Sequence, residues 1–157
     1  MVDDAKVTAR ARNNAYALLK VRPRSEKELF LRLAMKGYGE GLAKEIVGEL
    51  RSKGLVDDVK FARFWVDSRL HLNPVGDVIL RRELAEKGVS GDIIEATLVT
   101  KVDGYDEYEV AKNMAVERFR RFQKIDRRRA TKRVYDFLLR RGFKYDTVRR
   151  IIEEITG

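Results

Sequence analysis

The densest concentration of chemically distinctive side chains is a run of nine basic residues between positions 118 and 133. Arginine and lysine neutralise phosphates, so the run predicts salt-sensitive, sequence-tolerant binding to a polyanion such as single-stranded nucleic acid. Charges of one sign repel one another, which favours a binding role over a merely solvated helix surface. The candidate contacts in this run are Arg118, Arg121, Lys124, Arg127, Arg128 and Lys132.

Aromatic residues occur beside this run and again in the middle of the chain. Phe119 and Phe122 interleave with the basic residues, where an exposed ring could stack on a base. Their spacing of three is also typical of a helix core stripe, and we favour core positions for both. Phe61 and Trp65, four residues apart, are predicted core residues by the same rule, which leaves Phe64 as the candidate interface aromatic.

A second basic group lies near the N-terminus. Its candidate contacts are Lys20, Arg22, Arg24 and Arg32. Residues 1–56 carry 12 basic and 7 acidic residues (net +5), residues 57–104 carry 7 and 9 (net −2), and residues 105–157 carry 15 and 9 (net +6). Two basic ends around an acidic middle predict a polyanion or an acidic protein surface contacted in at least two places. A charge that serves solubility alone is the alternative.

Residues suited to catalysis or metal binding are sparse. His71 is the only histidine, cysteine is absent, and neither a G-x-S-x-G motif nor a phosphate-binding loop is present. Adjacent acidic pairs occur at Asp57-Asp58 and Glu153-Glu154, but neighbouring helix residues point about 100° apart and converge poorly on one ion. Asp57 and Asp58 stand where a helix should begin, and carboxylates there cap free N–H groups. We therefore expect a binding protein, not an enzyme, with no cofactor and no metal.

The elements that must position these side chains are helices, because the sequence contains three copies of one pattern that is typical of a helix C-terminus. Each copy runs from apolar residues through a basic residue and a glycine to another apolar residue. The copies are Leu33 to Tyr38, Leu84 to Val89 and Leu138 to Phe143. Glycine adopts the left-handed conformation that ends a helix, and the basic residue favours the negative end of the helix dipole. The glycines are 51 and 54 residues apart, which leaves room for three short helices per repeat.

Amphipathic patterns and capping residues complete each repeat. An apolar stripe with i, i+3, i+4 spacing follows every copy of the ending and predicts a short closing helix. Upstream, Pro23 ends an opening helix, Ser25 with Glu28 forms a capping box, and Asp126 is a further predicted cap. We therefore predict an all-α protein with three tandem three-helix repeats, at residues 1–56, 57–104 and 105–157.

Composition agrees with an elongated helical protein. Charged residues make up 38% of the chain and there are 2 prolines. The polar N-terminus has no apolar segment, and no stretch approaches the roughly 18 apolar residues that span a bilayer. Together with the lack of cysteine, this predicts a cytoplasmic protein with no membrane association.

Several motifs resemble the RecX family. They are Gly54-Leu55-Val56-Asp57-Asp58-Val59-Lys60-Phe61-Ala62-Arg63, Ser68-Arg69-Leu70, Leu80-Arg81-Arg82-Glu83-Leu84-Ala85-Glu86-Lys87-Gly88-Val89, and Arg24-Ser25-Glu26-Lys27-Glu28-Leu29 running to Lys36-Gly37-Tyr38. The likeness covers nearly the whole chain and is most specific in the central repeat. It departs at Asn73-Pro74-Val75-Gly76, where the family more often has a basic, glycine-rich turn.

The resemblance implies a curved array of three-helix repeats and a monomeric regulator of the RecA recombinase. Proteins of this family bind RecA filaments on single-stranded DNA along the helical groove. They restrain filament growth, strand exchange and co-protease function, and so act in homologous recombination, DNA repair and the SOS response. The resemblance therefore predicts RecA, preferably as a filament, as the partner, and it leaves direct contact with single-stranded DNA open.

Two other classes of function compete with this one. Three-helix units with a glycine turn also occur in helix-turn-helix regulators that read duplex DNA. The candidate recognition helices at Ala43 to Leu50 and Ile93 to Val99 lack the Arg, Asn and Gln that read base edges, which disfavours this class. A carboxylate-metal nuclease would instead show divalent-dependent DNA cleavage.

Overall fold

The computed structural model describes residues 2–101 and 105–157, and within them it contains nine α-helices and no β-strand. The helices are α1 (Val2–Val21), α2 (Glu26–Met35), α3 (Glu40–Ser52), α4 (Asp58–Leu72), α5 (Asp77–Glu86), α6 (Gly91–Val99), α7 (Glu107–Arg120), α8 (Arg127–Arg140) and α9 (Tyr145–Thr156). The predicted all-α fold is confirmed.

The three repeated helix endings adopt one backbone structure. Their glycines are Gly37 with φ +93°, Gly88 with φ +80° and Gly142 with φ +83°. In each copy the residue after the glycine donates its N–H to the carbonyl five positions earlier, as Tyr38 does to Leu33 at 3.3 Å. This is the hydrogen bond of a Schellman cap, which satisfies carbonyls that the last turn leaves free. The predicted C-caps are confirmed.

A fourth copy of this cap ends α3 and joins the first repeat to the second. Gly54 has φ +72°, and the N–H of Leu55 donates to the carbonyl of Leu50 at 2.9 Å. Lys53 precedes the glycine, so the basic, glycine, apolar order is the same as in the other three. This cap ends the third helix of its repeat, whereas the other three caps end the second helix. It therefore has no counterpart at the same position in the other repeats.

The predicted N-caps are also present. The Ser25 hydroxyl accepts the N–H of Glu28 at 3.1 Å, and the Asp57 carboxylate accepts the N–H of Val59 at 2.9 Å. Asp126 accepts the N–H three residues further on, at 3.2 Å, and so caps α8. Each cap satisfies an N–H that the first helical turn cannot bond internally.

Asp58 has a different partner from its neighbour. Its carboxylate accepts the N–H of Glu26 at 2.9 Å, so the first residue of α4 satisfies a free donor at the start of α2. Burial raises the pKa of Asp58, and this hydrogen bond partly opposes the rise. Asp58 thus ties two repeats together, which its place in the sequence does not show.

The first and third repeats each close around a core of their own. The first core consists of Ala11, Ala15, Leu29, Leu33, Ala43, Ile46, Val47, Leu50 and Val56. The third consists of Ala111, Ala115, Val134, Leu138, Phe143, Val148 and Ile151. In both, the opening helix contributes two alanines four residues apart and the later helices contribute the larger side chains, so the same i, i+4 stripe recurs.

The chain divides into two compact units. The N-terminal unit comprises Met1–Trp65 and Leu84–Thr97, and the C-terminal unit comprises Val66–Glu83 and Leu98–Gly157. Helices α4, α5 and α6 of the middle repeat are each divided between the two units. Sequence repeats and compact units are therefore different divisions of this chain.

In the C-terminal unit, the turn before α5 lies against the end of α8. The N–H of Gly76 donates to the carbonyl of Arg141 at 2.7 Å, and the N–H of Val78 donates to the carbonyl of Gly142 at 3.3 Å. A Cβ on Gly76 would lie 2.2 Å from the Gly142 oxygen, so only glycine fits this approach. The Arg141 side chain donates to the Asn73 side chain and to the carbonyl of Pro74. The turn that departs from the RecX pattern is thus engaged within the molecule.

Candidate functional site

In the N-terminal unit, three cationic side chains converge on Glu28. Arg22 donates to its carboxylate through both terminal nitrogens, Arg24 Nη1 lies 3.4 Å away and Lys87 Nζ lies 3.6 Å away. The Glu28 side chain is only 10% exposed, so water screens these contacts weakly. Only one of the two hydrogen bonds of the capping box is present. Glu28 donates its N–H to the Ser25 hydroxyl, whereas its carboxylate binds cations instead of the Ser25 N–H.

The surroundings of Glu28 fix its charge. Burial alone would raise the pKa of Glu28, but the hydrogen bond and charge of Arg22, and then the charges of Lys87 and Arg24, outweigh burial and lower that pKa. Burial, followed by the charge of Arg22, lowers the pKa of Arg24, although an arginine in a protein stays protonated.

Arg24 has little surface to offer a partner. It is 7% exposed, it pairs with Glu28, and its Nε donates to the carbonyl of Leu18 at 3.4 Å. The prediction that Arg24 contacts a polyanion stays a prediction, and a guanidinium with two partners inside the protein has little surface to support it. Arg22 is half-buried in the same cluster, and Lys20 and Arg32 are exposed.

Trp65 lies beside two cations of this cluster. The Arg22 guanidinium is 6.0 Å and the Lys87 ammonium 5.2 Å from its ring centroid, within the range of cation–π attraction. Phe61 is fully buried and its ring is 5.9 Å from that of Trp65. The core prediction is confirmed for Phe61, whereas Trp65 and Phe64 are both half-buried. Phe64 as an interface residue stays a prediction.

A basic groove runs beside the Glu28 cluster. It encloses about 480 Å³, and Arg22, Lys27, Arg32 and Lys87 are among the residues that line it. Met35, also on its wall, is 80% exposed. The groove combines positive charge with apolar surface, which suits an acidic protein segment with an apolar anchor.

In the C-terminal unit, part of the basic run is neutralised within the protein. Arg121 pairs with Glu117 at 2.8 Å, and Lys132 pairs with Asp136 at 2.8 Å. The Arg127 guanidinium donates to the carbonyl of Thr156 at 2.6 Å, near the negative end of α9. The pairs are exposed i, i+4 contacts of small energy, so a stronger anion displaces them readily.

The rest of the run is either stacked or unpaired. Arg118 lies 4.6 Å from the ring centroid of Phe137, and Arg133 lies 5.4 Å from that of Phe122. Four exposed cations have no acidic or aromatic partner among the described residues. They are Arg120, Lys124, Arg128 and Arg129. These unpaired charges, at the end of α7 and the start of α8, form the C-terminal basic surface.

A cavity of about 260 Å³ opens beside Arg120 of the C-terminal basic surface. Phe119 and Phe122 line it together with Ile125 and Ala130. Both phenylalanines pack against the third core yet stay half-buried, so the core prediction holds only in part. Their i, i+3 spacing predicts an apolar stripe on the helix. It does not show that this stripe reaches the protein surface where the helix ends.

The remaining candidates for chemistry have local roles. His71 is exposed, and its Nδ1 lies 2.7 Å from the carbonyl of Asp67. Glu153 pairs with Arg149 at 3.1 Å, and Glu154 binds Tyr108 and Lys112. Across residues 2–101 and 105–157, no three His, Asp or Glu side chains are placed to hold a metal ion. No helix in the same residues is long and apolar enough to cross a bilayer.

Known proteins are similar to this chain in sequence and in fold. Family models described as the first, second and third three-helix domains of RecX match residues 11–59, 57–98 and 105–152. Regulatory protein RecX of Amycolatopsis mediterranei is 32% identical over 145 residues, which cover 92% of this chain and 82% of that protein. Regulatory protein RecX of Prosthecochloris aestuarii is 32% identical over 94% of this chain and 95% of that protein.

Solved structures agree with the sequence relatives. A crystal structure of regulatory protein RecX matches with a TM-score of 0.82 and 26% identity, covering 95% of this chain and 73% of that one. The crystal structure of RecX from Lactobacillus salivarius matches with a TM-score of 0.81 and 24% identity, covering 97% and 98%. The three tandem three-helix repeats predicted from the helix endings are thereby confirmed, and the chain belongs to the RecX family of regulatory proteins.

Proposed function

We propose that this protein is a non-enzymatic regulator that binds RecA filaments on single-stranded DNA and restrains their growth and recombinase activity. The observation that carries the proposal is the C-terminal basic surface, where four exposed cations have no partner among the described residues. Unpaired like charges repel and destabilise a folded protein, so a polyanionic partner that neutralises them gains binding energy. Membership of the RecX family makes RecA on DNA the partner that we propose.

The two basic surfaces suit a partner that offers many sites. The groove beside Glu28 and the C-terminal basic surface lie in different compact units, so each can contribute its own contact. Linked contacts raise the apparent affinity only where a second site is within reach, which a filament supplies and a single subunit does not. We therefore expect RecA filaments to bind more tightly than free RecA.

Reading of duplex DNA by a recognition helix is the weaker candidate. The third helix of the middle repeat, α6, exposes Asp92 and Glu95, which repel phosphates. In the first repeat, α3 exposes Lys44 beside Glu45. Its one arginine, Arg51, lies in the last turn, away from the N-terminal residues with which a recognition helix contacts base edges.

The decisive experiment follows ATP hydrolysis and filament length of RecA on single-stranded DNA. We expect the protein to lower both at less than one molecule per RecA subunit. A double variant, Lys124→Glu with Arg128→Glu, should weaken this effect about tenfold or more, since it reverses two unpaired charges. No effect of the unmodified protein at equal amounts would refute the proposal.

A matched variant controls for net charge. Lys6→Glu with Arg10→Glu changes the total charge by the same amount at exposed positions of α1, which belongs to the N-terminal compact unit. This variant should act like the unmodified protein. Equal loss in both variants would mean that overall charge, and not the C-terminal basic surface, governs binding.

A further inference from the structure

The cavity beside Arg120 of the C-terminal basic surface has two kinds of lining. Its walls are apolar and include the ring of Phe119, and its polar residues are Arg120, Gln123 and Arg127. Neither the Gln123 amide nor the Arg120 guanidinium has a hydrogen-bond partner among the described residues. Arg127 is held in place by its bond to the Thr156 carbonyl at 2.6 Å. An aromatic wall, an unpaired amide and fixed positive charge thus meet at one opening.

We propose that this cavity binds one unstacked base of a single-stranded nucleic acid, whose phosphates lie along Arg120, Lys124 and Arg127. No cation covers the Phe119 ring in the described structure, so its face is the one on which the base stacks. The Gln123 amide both donates and accepts hydrogen bonds, which lets it pair with the polar edge of any base.

The size of the cavity supports this ligand. Pockets for drug-sized ligands enclose about 300–1,000 Å³. At about 260 Å³ this cavity is below that range and suits a single ring system. Bases in a duplex are stacked and paired, so only a single strand presents one without the cost of flipping it out.

An acidic peptide fits this site less well than a nucleic acid does. Carboxylates would satisfy the arginines but leave the Phe119 face and the apolar walls without a partner. A nucleotide unit supplies an anion and a flat ring joined by one sugar, which matches a cation beside an aromatic wall. The groove of the N-terminal unit, by contrast, exposes Met35 and carries no aromatic ring on its lining.

This inference rests on the proposed action at single-stranded DNA, and it is tested without RecA. The full chain is titrated into fluorescent oligothymidylate of about 12 nucleotides, within the ~4–16 that one small binding domain covers. The same titration uses an abasic strand of equal length, which keeps the phosphates and removes the bases. We expect the strand with bases to bind about fivefold to a hundredfold more tightly, as stacking of one base provides. Equal binding of the two strands would overturn the proposal.

Variants locate the effect. Phe119→Leu keeps apolar volume against the core but removes the aromatic face, and Gln123→Ala removes the amide. Both should bring binding of the two strands close together, whereas Arg128→Ala should weaken both strands equally. Circular dichroism must show unchanged helix content, and Gln123→Ala, at an exposed position, serves if Phe119→Leu does not fold.

Competition separates the two classes of anion. Polyglutamate should displace the abasic strand more effectively than it displaces oligothymidylate. Equal displacement of both would identify the surface as a site for acidic protein and overturn the base pocket. Inhibition of RecA together with equal binding of the two strands would refute this inference alone, whereas base-dependent binding with no effect on RecA would refute only the proposed function.

Discussion

Glu28 shows how one residue can join distant parts of the chain. It accepts bonds from Arg22 and Arg24, which are near it in sequence, and it lies 3.6 Å from Lys87, which is not. Arg24 is buried and depends on Glu28 to offset its charge. Removal of the carboxylate would leave a buried guanidinium unpaired, which costs far more than loss of a surface pair.

We predict that Glu28→Gln lowers the free energy of unfolding by about 2–3 kcal/mol, near the lower end of the range for broken buried pairs because Arg22 and Lys87 stay partly solvated. Urea unfolding measures the change. Glu49→Gln is the matched control, because its contact with Arg12 is more open to solvent, with side chains 28% and 35% exposed, and its loss should cost less. Equal losses would show that the Glu28 cluster behaves as an ordinary surface pair.

We also predict that the stability lost in Glu28→Gln depends on pH. The folded protein lowers the pKa of Glu28 below its ordinary 4.5, so the carboxylate stabilises the fold fully above pH 4.5. This stabilisation is lost as pH falls from 4.5 through the lowered pKa. The stability difference between the unmodified protein and Glu28→Gln should therefore shrink below pH 4.5, and a constant difference would contradict the assignment.

At this scale the sequence predicts residue types better than it predicts their partners. A basic group at Lys20, Arg22, Arg24 and Arg32 is plain from the sequence, but the burial of Arg24 is not. Arg24 is buried where it meets Glu28 and the carbonyl of Leu18, and Glu28 in turn lies 3.6 Å from Lys87, which is far away along the chain. In the C-terminal run, Arg128 is unpaired whereas Arg121 meets Glu117 four residues earlier, a contact that helical spacing does predict.

At the scale of elements, glycine caps serve two different purposes. At Gly37 a Cβ would meet no atom within 4 Å, so only the positive φ of +93° requires glycine. At Gly142, with φ +83°, a Cβ would lie 2.4 Å from Ile79 Cγ1 and 2.7 Å from the Ile79 nitrogen. Gly142 thus both ends α8 and admits the backbone of α5.

We predict that Gly37→Ala costs about 1 kcal/mol of stability, the price of a left-handed conformation. Gly142→Ala should cost about 3 kcal/mol, because the clash with Ile79 adds an overpacking penalty of ~1–3 kcal/mol. Urea unfolding of the two variants, each compared with the unmodified protein, measures the difference. Equal costs would mean that the contact with α5 relaxes freely.

Local signals account for most of the elements. Glycine caps, Ser25, Asp126 and Pro23 are read from the sequence because each acts on its own helix end. The sequence does not indicate the start of α1 at Val2, since the first ten residues show no continuous apolar stripe. Nor does it indicate the bond from Asp58 to α2, because a carboxylate at a helix start signals a cap for its own helix.

At the scale of the molecule, charge and compact units follow different divisions. The first and third repeats carry +5 and +6, and the middle repeat carries −2. The boundaries of the compact units instead fall inside α4, α5 and α6. The net charge differs from repeat to repeat because surface residues can vary without disturbing a core. The compact units depend instead on contacts between repeats, which the similarity of the repeats does not reveal.

The third repeat should therefore depend on residues that precede it. Residues 66–83 belong to its compact unit and supply the N–H groups of Gly76 and Val78 that bind the carbonyls at the end of α8. Asp77 also pairs with Lys101, and both side chains are only 13% exposed. A fragment cut at residue 105 keeps the third core but loses these contacts.

We predict that fragment 66–157 is more stable than fragment 105–157. The two backbone bonds provide about 1 kcal/mol each. A gain of ~2 kcal/mol in a domain of this size raises Tm by roughly 10 °C, which thermal circular dichroism measures. Gly76→Ala in the longer fragment is the control, because a Cβ 2.2 Å from the Gly142 oxygen should separate the turn from α8 and lower Tm toward that of the shorter fragment. Equal Tm values for both unmodified fragments would show that the sequence repeat, and not the compact unit, is the folding unit at this end of the chain.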